Sequence, residues 1–305
     1  MNSPNARRAC NSTEPTPTAG ALLAEGARRL ESAGADSPRL AAELLLAHAL
    51  GCDRCALLAR PERGVGAAPA GVYADLVRRR AAREPLQHLL GRTEFWSLTF
   101  LTDPRALIPR PETELLVEAA LALATGVTRT GPPIALAEIG TGTGCVALAL
   151  ARELPGAEIV ASDLSTEALA LAEENARLHG LSGRVRFIAG DMTAPYLAEG
   201  LGGRFDAALS NPPYIPTDEI ERLQPEVRDH DPRAALDGGP DGLDAVRRLL
   251  AGTPPLLRPG GALMIEIGAG QSDAVRRLAA PAGWRVERVL PDPQGIDRVV
   301  QLRRA

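Results

Sequence analysis

Between residues 18 and 85 the large apolar residues recur mostly every three to four positions, as Leu22, Leu23 and Leu30, then Leu40, Leu44 and Leu45, then Leu57 and Leu58, then Val72, Leu76 and Val77. That spacing puts them on one face of a helix. Breaks at 34–38, at Gly51 and at 61–69 divide the stretch into four or five short helices, a small helical domain over 18–90. Residues 91–107 change character: Phe95, Trp96, Leu98 and Phe100 crowd together and partly alternate. This predicts a short hairpin, with 91–110 as the linker between two domains.

From residue 134 onward strand and helix periods alternate. Short apolar runs at 134–139, 158–161, 185–188, 205–210, 262–267, 286–290 and 298–302 read as strands, with helical patterns between most of them. Apolar strands alternating with helices predict an α/β domain over 111–305, its parallel sheet covered on both faces. The helix after Asp163 carries its own start signal: Ser165 is a good N-cap, and Leu164 and Leu169 are spaced as a hydrophobic staple. It is expected to stop at Gly180. No internal repeat of fixed period is visible.

Composition narrows the class. Of 305 residues 45% are hydrophobic and 24% charged, the balance of a soluble globular protein. The longest apolar stretch, around 40–50, contains Glu43 and His48, so no membrane span is expected. The first twenty residues carry Arg7 and Arg8 but then turn polar; without the apolar core of a secretory signal, residues 1–17 read as a disordered tail. Four cysteines, at 10, 52, 55 and 145, are too few and scattered for a disulfide framework, which favours a reducing cytoplasm. Cys52 and Cys55 form a lone CxxC with no second pair at zinc spacing; they read as two buried small residues, and no metal is expected.

The net charge of -4 argues against nonspecific nucleic-acid binding. Arg78, Arg79 and Arg80 read as a solvated helix face, with a phosphate-binding edge as the alternative. All 34 basic residues are Arg, so no lysine amine takes part in any chemistry here.

Three signals carry chemistry. The first is the run from Glu138 through Gly140, Thr141, Gly142, Thr143 and Gly144, a strand ending in a glycine turn that opens a helix at Cys145. Such a turn brings backbone N–H groups close to a ligand. The nicotinamide fingerprint G-x-G-x-x-G would need glycine where Cys145 stands, whereas GxGxG after a strand fits S-adenosylmethionine; plain helix–sheet packing is the other use of such a turn. The second signal is Asp163, at the end of the next strand, where a carboxylate accepts from the hydroxyls of a ribose; its alternative is to stabilise a helix dipole. Asp191 and Met192, after the third strand, fall where an adenine would sit, Asp191 accepting from its amine and Met192 packing on the ring; Asp191 as a turn residue is the alternative. The third signal is Asn211-Pro212-Pro213-Tyr214, directly after a strand. Two prolines stop the ladder and fix the backbone. The Asn211 side-chain carbonyl and the Pro212 carbonyl can then accept from one planar NH2 group while Tyr214 offers a ring to stack on. Two fixed acceptors localise the nitrogen lone pair toward an incoming methyl group.

At these residues the chain resembles the peptide chain release factor glutamine methyltransferases (PrmC, also called HemK). The resemblance covers nearly all of it after the tail: Pro85-Leu86-Gln87-His88-Leu89-Leu90-Gly91, the aromatic hairpin, Ile108-Pro109-Arg110-Pro111-Glu112-Thr113-Glu114, the glycine turn, the Asn-Pro-Pro-Tyr motif, Leu236-Asp237-Gly238-Gly239-Pro240-Asp241-Gly242, and Glu266-Ile267-Gly268. It implies a seven-stranded S-adenosylmethionine-dependent sheet with its last strand antiparallel, and methyl transfer to the side-chain amide nitrogen of the glutamine in the Gly-Gly-Gln motif of release factors. It also implies that Gly140 to Gly144, Asp163, Met192 and Asn211 contact the cofactor and that Asn211 to Tyr214 hold the glutamine. Met192 stands where relatives often carry an aromatic residue, and the tail is longer than the family needs. The segment 108–114 reads locally as a well-capped helix start, Pro111 suiting the first turn and Glu112 and Glu114 its positive end; the resemblance implies that it also walls the active site, with Phe100 nearby.

A methyltransferase of nucleic-acid base amines shares Asn-Pro-Pro-Tyr and is the rival reading, although about 90 residues after Tyr214 leave little room for a DNA-recognition insert. A non-catalytic binding protein of the same fold is the third. His48, His88, His179 and His230 lack partners at metal or triad spacing and receive no role. The expected partner is a release factor, with no membrane and no nucleic acid, and the chain is expected to be a monomer.

Overall fold

A computed structural model describes residues 16–125 and 133–304. Residues 1–15 of the expected tail, Cys10 among them, lie outside the described residues. The chain divides into two compact units, Met1–Leu90 and Gly91–Ala305.

The first unit holds five helices, α1 (Ala19–Ser32), α2 (Pro38–Leu50), α3 (Arg54–Leu58), α4 (Ala67–Ala81) and α5 (Leu86–Leu90). Thr18 and Asp53 cap α1 and α3, each accepting from a backbone N–H three residues on, which satisfies donors that a helix start leaves free. Leu30, Leu45, Leu46, Leu57, Leu76, Val77 and Leu89 form the core. Gly26 is required there, since a Cβ would lie 1.9 Å from the Tyr73 hydroxyl, which donates to the Leu22 carbonyl. The arginine triplet is a structural edge: Arg78 pairs with Asp75, Arg79 with Glu84, and Arg80 is buried and donates to the Glu84 carbonyl. Cys52 is half-buried but Cys55 is exposed, so the pair is not the two buried residues expected.

The second unit opens with the hairpin, β1 (Arg92–Phe95) and β2 (Leu98–Leu101). Trp96 and Ser97, at φ 52° and 56°, make the left-handed two-residue turn that matches strand twist. A 3-10 turn, Pro111–Thr113, leads into α6 (Glu114–Thr125), followed by β3 (Ala135–Ile139), α7 (Cys145–Glu153), β4 (Glu158–Asp163), α8 (Thr166–Leu178), β5 (Val185–Ala189), α9 (Ala194–Ala198) and β6 (Phe205–Ser210). Then come α10 (Pro225–Arg228), α11 (Asp244–Gly252), β7 (Leu257–Glu266), α12 (Ser272–Ala279), β8 (Trp284–Pro291) and β9 (Asp297–Arg304). The seven-stranded sheet has the order β5-β4-β3-β6-β7-β9-β8. Strands β3 to β7 pair in parallel, and β9 runs antiparallel to both its neighbours.

The apolar runs follow from burial on both faces. On β3, Leu136 packs into one core while Ala135, Ala137 and Ile139 pack into the other; on β6, Ala207 and Leu209 face the first and Phe205 and Ala208 the second. Strand β7 begins five residues earlier than the pattern predicts, because Leu257 already pairs with Phe205 before a bulge; Pro259, Gly260 and Gly261 disguise that start. Two local expectations fail. Leu164 is 68% exposed and staples nothing, although Ser165 does cap α8 by accepting from Ala168 N. Phe100 is fully buried, edge-on to Phe95 and against His179, and belongs to the core rather than to a cavity wall: its neighbours on the strand alternate outward, and it points the other way.

Asn175 on α8 ties this framework together. Fully buried, it accepts from Leu101 N at 2.7 Å and donates to the carbonyls of Leu101 and Thr143, joining the hairpin to the glycine turn. Asn175→Ala leaves three backbone groups unpaired without water, and should cost about 3 kcal/mol of unfolding free energy or more, at about 1–3 kcal/mol per orphaned group. Denaturant titration checks this; a loss under about 1 kcal/mol would mean that water or rearrangement replaces the bonds.

Candidate functional site

The strand order reverses between β3 and β6, and in open α/β sheets a crevice forms outside the carboxyl ends of the strands at that point. Here it is a cavity of about 540 Å³, within the range of small-molecule sites. The turn after β3 supplies Gly140, Thr141, Gly142 and Thr143; Asp163 comes from the end of β4, and Asp191 and Met192 follow β5. Asn211, Pro212 and Pro213 follow β6. Of the residues singled out in the sequence, Gly144 and Tyr214 do not line it.

The glycine turn is built from below. Gly140 N and Thr141 N both donate to the Ser162 carbonyl at 2.9 Å, and Gly140, Gly142 and Gly144 have φ of 76°, 55° and 81°, a region closed to most other residues. Gly144 serves packing: a Cβ there would lie 3.1 Å from that of Ala172. Asp163 reaches across, its Oδ2 accepting from Gly142 N at 2.8 Å and its Oδ1 from Ser165 N at 2.9 Å. Each oxygen keeps a lone pair for a ligand. Met192 has φ 51° and packs its half-buried side chain on the second core. Asp191 forms an ion pair with Arg248 of α11, a partner far away in sequence.

Glu138 lies under the turn, 5% exposed, accepting from the Thr141 hydroxyl at 2.6 Å and from Ala147 N at 3.0 Å. Burial pushes its carboxyl up to about 8, against the pull of those two bonds and with a further push from Asp163.

At the other end, Asn211 Nδ2 donates to the Thr113 hydroxyl at 3.0 Å. That contact turns the amide nitrogen toward the wall and leaves Oδ1 as the group free to accept. The wall itself is the 108–114 segment: Pro109, Arg110 and Thr113 line the cavity, and Arg110 pairs at 2.7 Å with the buried Asp231, tying the wall to the chain beyond Tyr214. The backbone of Pro213 and Tyr214 is pinned from outside. A Cβ on Gly238 would lie 2.8 Å from the Pro213 carbonyl oxygen, and one on Gly242 2.3 Å from that of Tyr214. Gln271 accepts from Gly268 N at 2.9 Å and donates to the Tyr214 carbonyl at 2.9 Å. Burial, with Glu266 next, raises the Tyr214 phenol to about 12, so it stays neutral.

Sequence reasoning assigned no individual role to Thr113, Gln271, Arg248 or Asp231. Thr113 was visible within the segment 108–114, and Gln271 carried a faint signal as the polar residue after the Gly268-Ala269-Gly270 turn.

A sheet of this order, with a glycine turn at its switch point and an acid at the end of the adjacent strand, defines the class as a methyltransferase of the S-adenosylmethionine-dependent fold. The general methyltransferase domain model matches residues 136–230, and the model of the PrmC N-terminal domain matches residues 21–91. The chain is 48% identical over 279 residues to the release factor glutamine methyltransferase of Moorella thermoacetica, covering 90% of this chain and 95% of that one. It is 45% identical over 284 residues to that of Deinococcus radiodurans, covering 93% and 98%. Among solved structures, the hMettl16 catalytic domain in complex with the MAT2A 3′UTR hairpin 6 superposes with a TM-score of 0.53 at 17% identity, over 74% of this chain and 81% of that one, a likeness of fold. The chain belongs to the release factor glutamine methyltransferase family.

Because the Glu138 carboxyl is raised from 4.5 to about 8, its contribution to stability is fully present below pH 4.5 and is lost as pH rises through 8. Glu138→Gln keeps an acceptor for Thr141 and Ala147 but cannot ionise. The melting temperature of this variant relative to the parent should therefore climb between pH 6 and 8.5; a difference independent of pH would show that Glu138 does not titrate there.

Proposed function

We propose that this chain methylates the side-chain amide nitrogen of the glutamine in the Gly-Gly-Gln motif of release factors, with S-adenosylmethionine as methyl donor. The observation that carries the reading is the Asn211–Thr113 bond, which presents a fixed acceptor in the cavity that the glycine turn also lines. An amide nitrogen is a poor nucleophile because its lone pair is delocalised into the carbonyl. Asn211 Oδ1 and the Pro212 carbonyl accept hydrogen bonds from its two N–H groups and draw electron density back onto nitrogen, while Tyr214, held neutral behind them, anchors the corner. Because both acceptors are set during folding, no reorganisation is needed when the methyl group moves.

The donor set suits the cofactor. Backbone turning left-handed at Gly140 and Gly142 leaves room for its amino-acid end, Asp163 retains lone pairs for ribose hydroxyls, and Met192 offers an apolar surface for adenine. Asp191 serves the adenine amine in competition with Arg248. The cofactor would supply a methyl group already activated on a sulfonium, whose sulfur leaves as a neutral thioether while the methylated nitrogen gives one proton to water, so neither a metal nor a covalent intermediate is needed. What the chain contributes is alignment of nitrogen with that methyl carbon. The helical unit, in this reading, adds a second docking contact for the folded release factor.

Labelled S-adenosylmethionine offered with release factor, with the same factor carrying Gln→Ala in Gly-Gly-Gln, and with DNA tests the reading: label should enter the first alone. Label in DNA would favour the base-amine alternative. Asp163→Ala should weaken cofactor binding roughly 10- to 150-fold, the loss of about 1.5–3 kcal/mol expected for bonds to a charged acceptor; calorimetry giving an unchanged affinity would remove Asp163 from the site. Asn211→Ala should slow single-turnover methyl transfer on the order of 10²-fold or more, and a rate near that of the parent would remove the acceptor.

A further inference from the structure

Three stretches of chain line the cavity around Asn211: the wall segment with Pro109 and Arg110, the Asn-Pro-Pro-Tyr corner with Pro213, and the chain beyond Tyr214 with Pro232, Ala234 and Ala235. Proline and alanine have no side-chain rotamers to exchange, so these surfaces cannot make room by swinging aside. The width between them is set by the backbone, and so by whatever ties one stretch to another.

Two side-chain ties hold the wall to the other two stretches. Thr113 receives the Asn211 amide N–H at 3.0 Å, and Arg110 Nη2 donates to Asp231 Oδ2 at 2.7 Å. The far end of the 231–237 stretch is held separately, Ile215 N donating to the Leu236 carbonyl at 3.0 Å and Gly238 N to that of Ile215 at 2.9 Å. The Arg110 tie is an expensive way to gain stability. The Asp231 side chain is 1% exposed, and its Oδ1 has no hydrogen-bond partner among the described residues. Apolar side chains of similar volume are often as stable in such a place, or more so. What a directional buried pair supplies instead is a fixed separation of the two segments that carry it.

We propose that Arg110 is a positioning residue for the substrate: through Asp231 it sets the width of a slot between the wall and the 231–235 lip, which admits a glutamine flanked by glycine and rejects one flanked by a larger residue. The inference rests on the reading of Gly-Gly-Gln as the substrate. A glutamine side chain is short, so with its amide at Asn211 the backbone beside it comes down between wall and lip. Glycine brings no Cβ to that passage. An alanine in its place meets surfaces that cannot turn aside, and enters only if wall and lip part. Cutting the tie lets them part: the proper loop is then held less tightly and the bulkier one is let in.

The test compares intact release factor carrying Gly-Gly-Gln with the same factor carrying Gly-Ala-Gln, as kcat/KM for methyl transfer at saturating S-adenosylmethionine, with melting temperatures to confirm folding. The parent should prefer the first by roughly 10- to 200-fold, the span of one methylene-sized group in a tight pocket. Arg110→Met combined with Asp231→Leu removes both charges, so neither is left buried alone. In this double variant KM for Gly-Gly-Gln should rise about tenfold with a smaller change in kcat, and the preference should shrink about fivefold or more. Its cofactor affinity by calorimetry should stay within about threefold of the parent, since the tie lies outside the glycine turn and Asp163. Asp231→Asn, whose carbonyl can still accept from Arg110, should keep the parent preference. Any effect of the alanine on the release factor loop itself is common to all three enzymes and cancels between them. A folded double variant with the parent preference overturns the proposal. If the double variant does not fold, Ala234→Leu on the exposed lip decides: KM for Gly-Gly-Gln should rise about tenfold or more, and an unchanged KM overturns the proposal by removing the lip from the slot. A parent enzyme that leaves Gly-Gly-Gln unmethylated is a different failure, of the substrate reading beneath it.

Discussion

The parallel pairing of β3 with β6 is the constraint on which the second unit's cavity depends. Their registers, Leu136 with Ala207 through Glu138 with Leu209, bring both strands to an end at one level, where Ser210 Oγ donates to the Ile139 carbonyl at 2.7 Å. From that level the chain leaves β3 toward β4 and leaves β6 toward β7, so the two loops diverge and a crevice opens between them. The glycine turn and Asn211, Pro212 and Pro213 line it from these two strand ends. Separating them by a register step would displace the Asn211 amide relative to the glycine turn and Asp163.

Charge around the cavity is dominated by acids. Glu138, Asp163 and Glu266 sit at or near the ends of three neighbouring or near-neighbouring strands, and Asp163 accepts from backbone N–H groups at 2.8 and 2.9 Å. The other two are buried with too few partners, and pay for it with raised carboxyls. Such an arrangement favours a cation: a positive group entering the cavity gains attraction from each acid and shifts the buried ones toward ionisation. A cofactor bearing a sulfonium and an ammonium group fits that field, and a neutral substrate amide does not disturb it.

The strands were legible because burial on both faces leaves apolar runs, and the helical unit because its leucines keep to one face. Motifs that are local in sequence, such as the glycine turn with Asp163 or the rigid Asn-Pro-Pro-Tyr corner, were legible for the same reason: their chemistry is written in consecutive residues or at fixed strand ends. What escaped depends on partners distant along the chain. Thr113 meets Asn211 across 98 positions and Asp191 meets Arg248 across 57, and neither pairing leaves a periodic trace. Phe100 was placed near the site by resemblance alone, and its own sequence neighbourhood predicts only a hairpin strand; Leu164 misled because staple spacing is necessary for the contact and does not enforce it.

The same distance explains why the glycines of the 236–242 loop are indispensable. Gly238 and Gly242 carry no ligand-facing group, yet a single methyl on either would collide with the carbonyl oxygen of Pro213 or Tyr214. The loop lies directly on the backbone it supports: Ile215 N donates to the Leu236 carbonyl, Gly238 N to that of Ile215, and Gln271 closes the far side by donating to that of Tyr214. Two prolines remove torsional freedom from within, and these contacts remove it from without. The entropy of holding the acceptors is therefore spent when the chain folds, not when the methyl group is transferred. In the proposed reaction a corner so held can be small, uncharged and still effective, because the work proposed for it is to keep two oxygens where a planar nitrogen needs them.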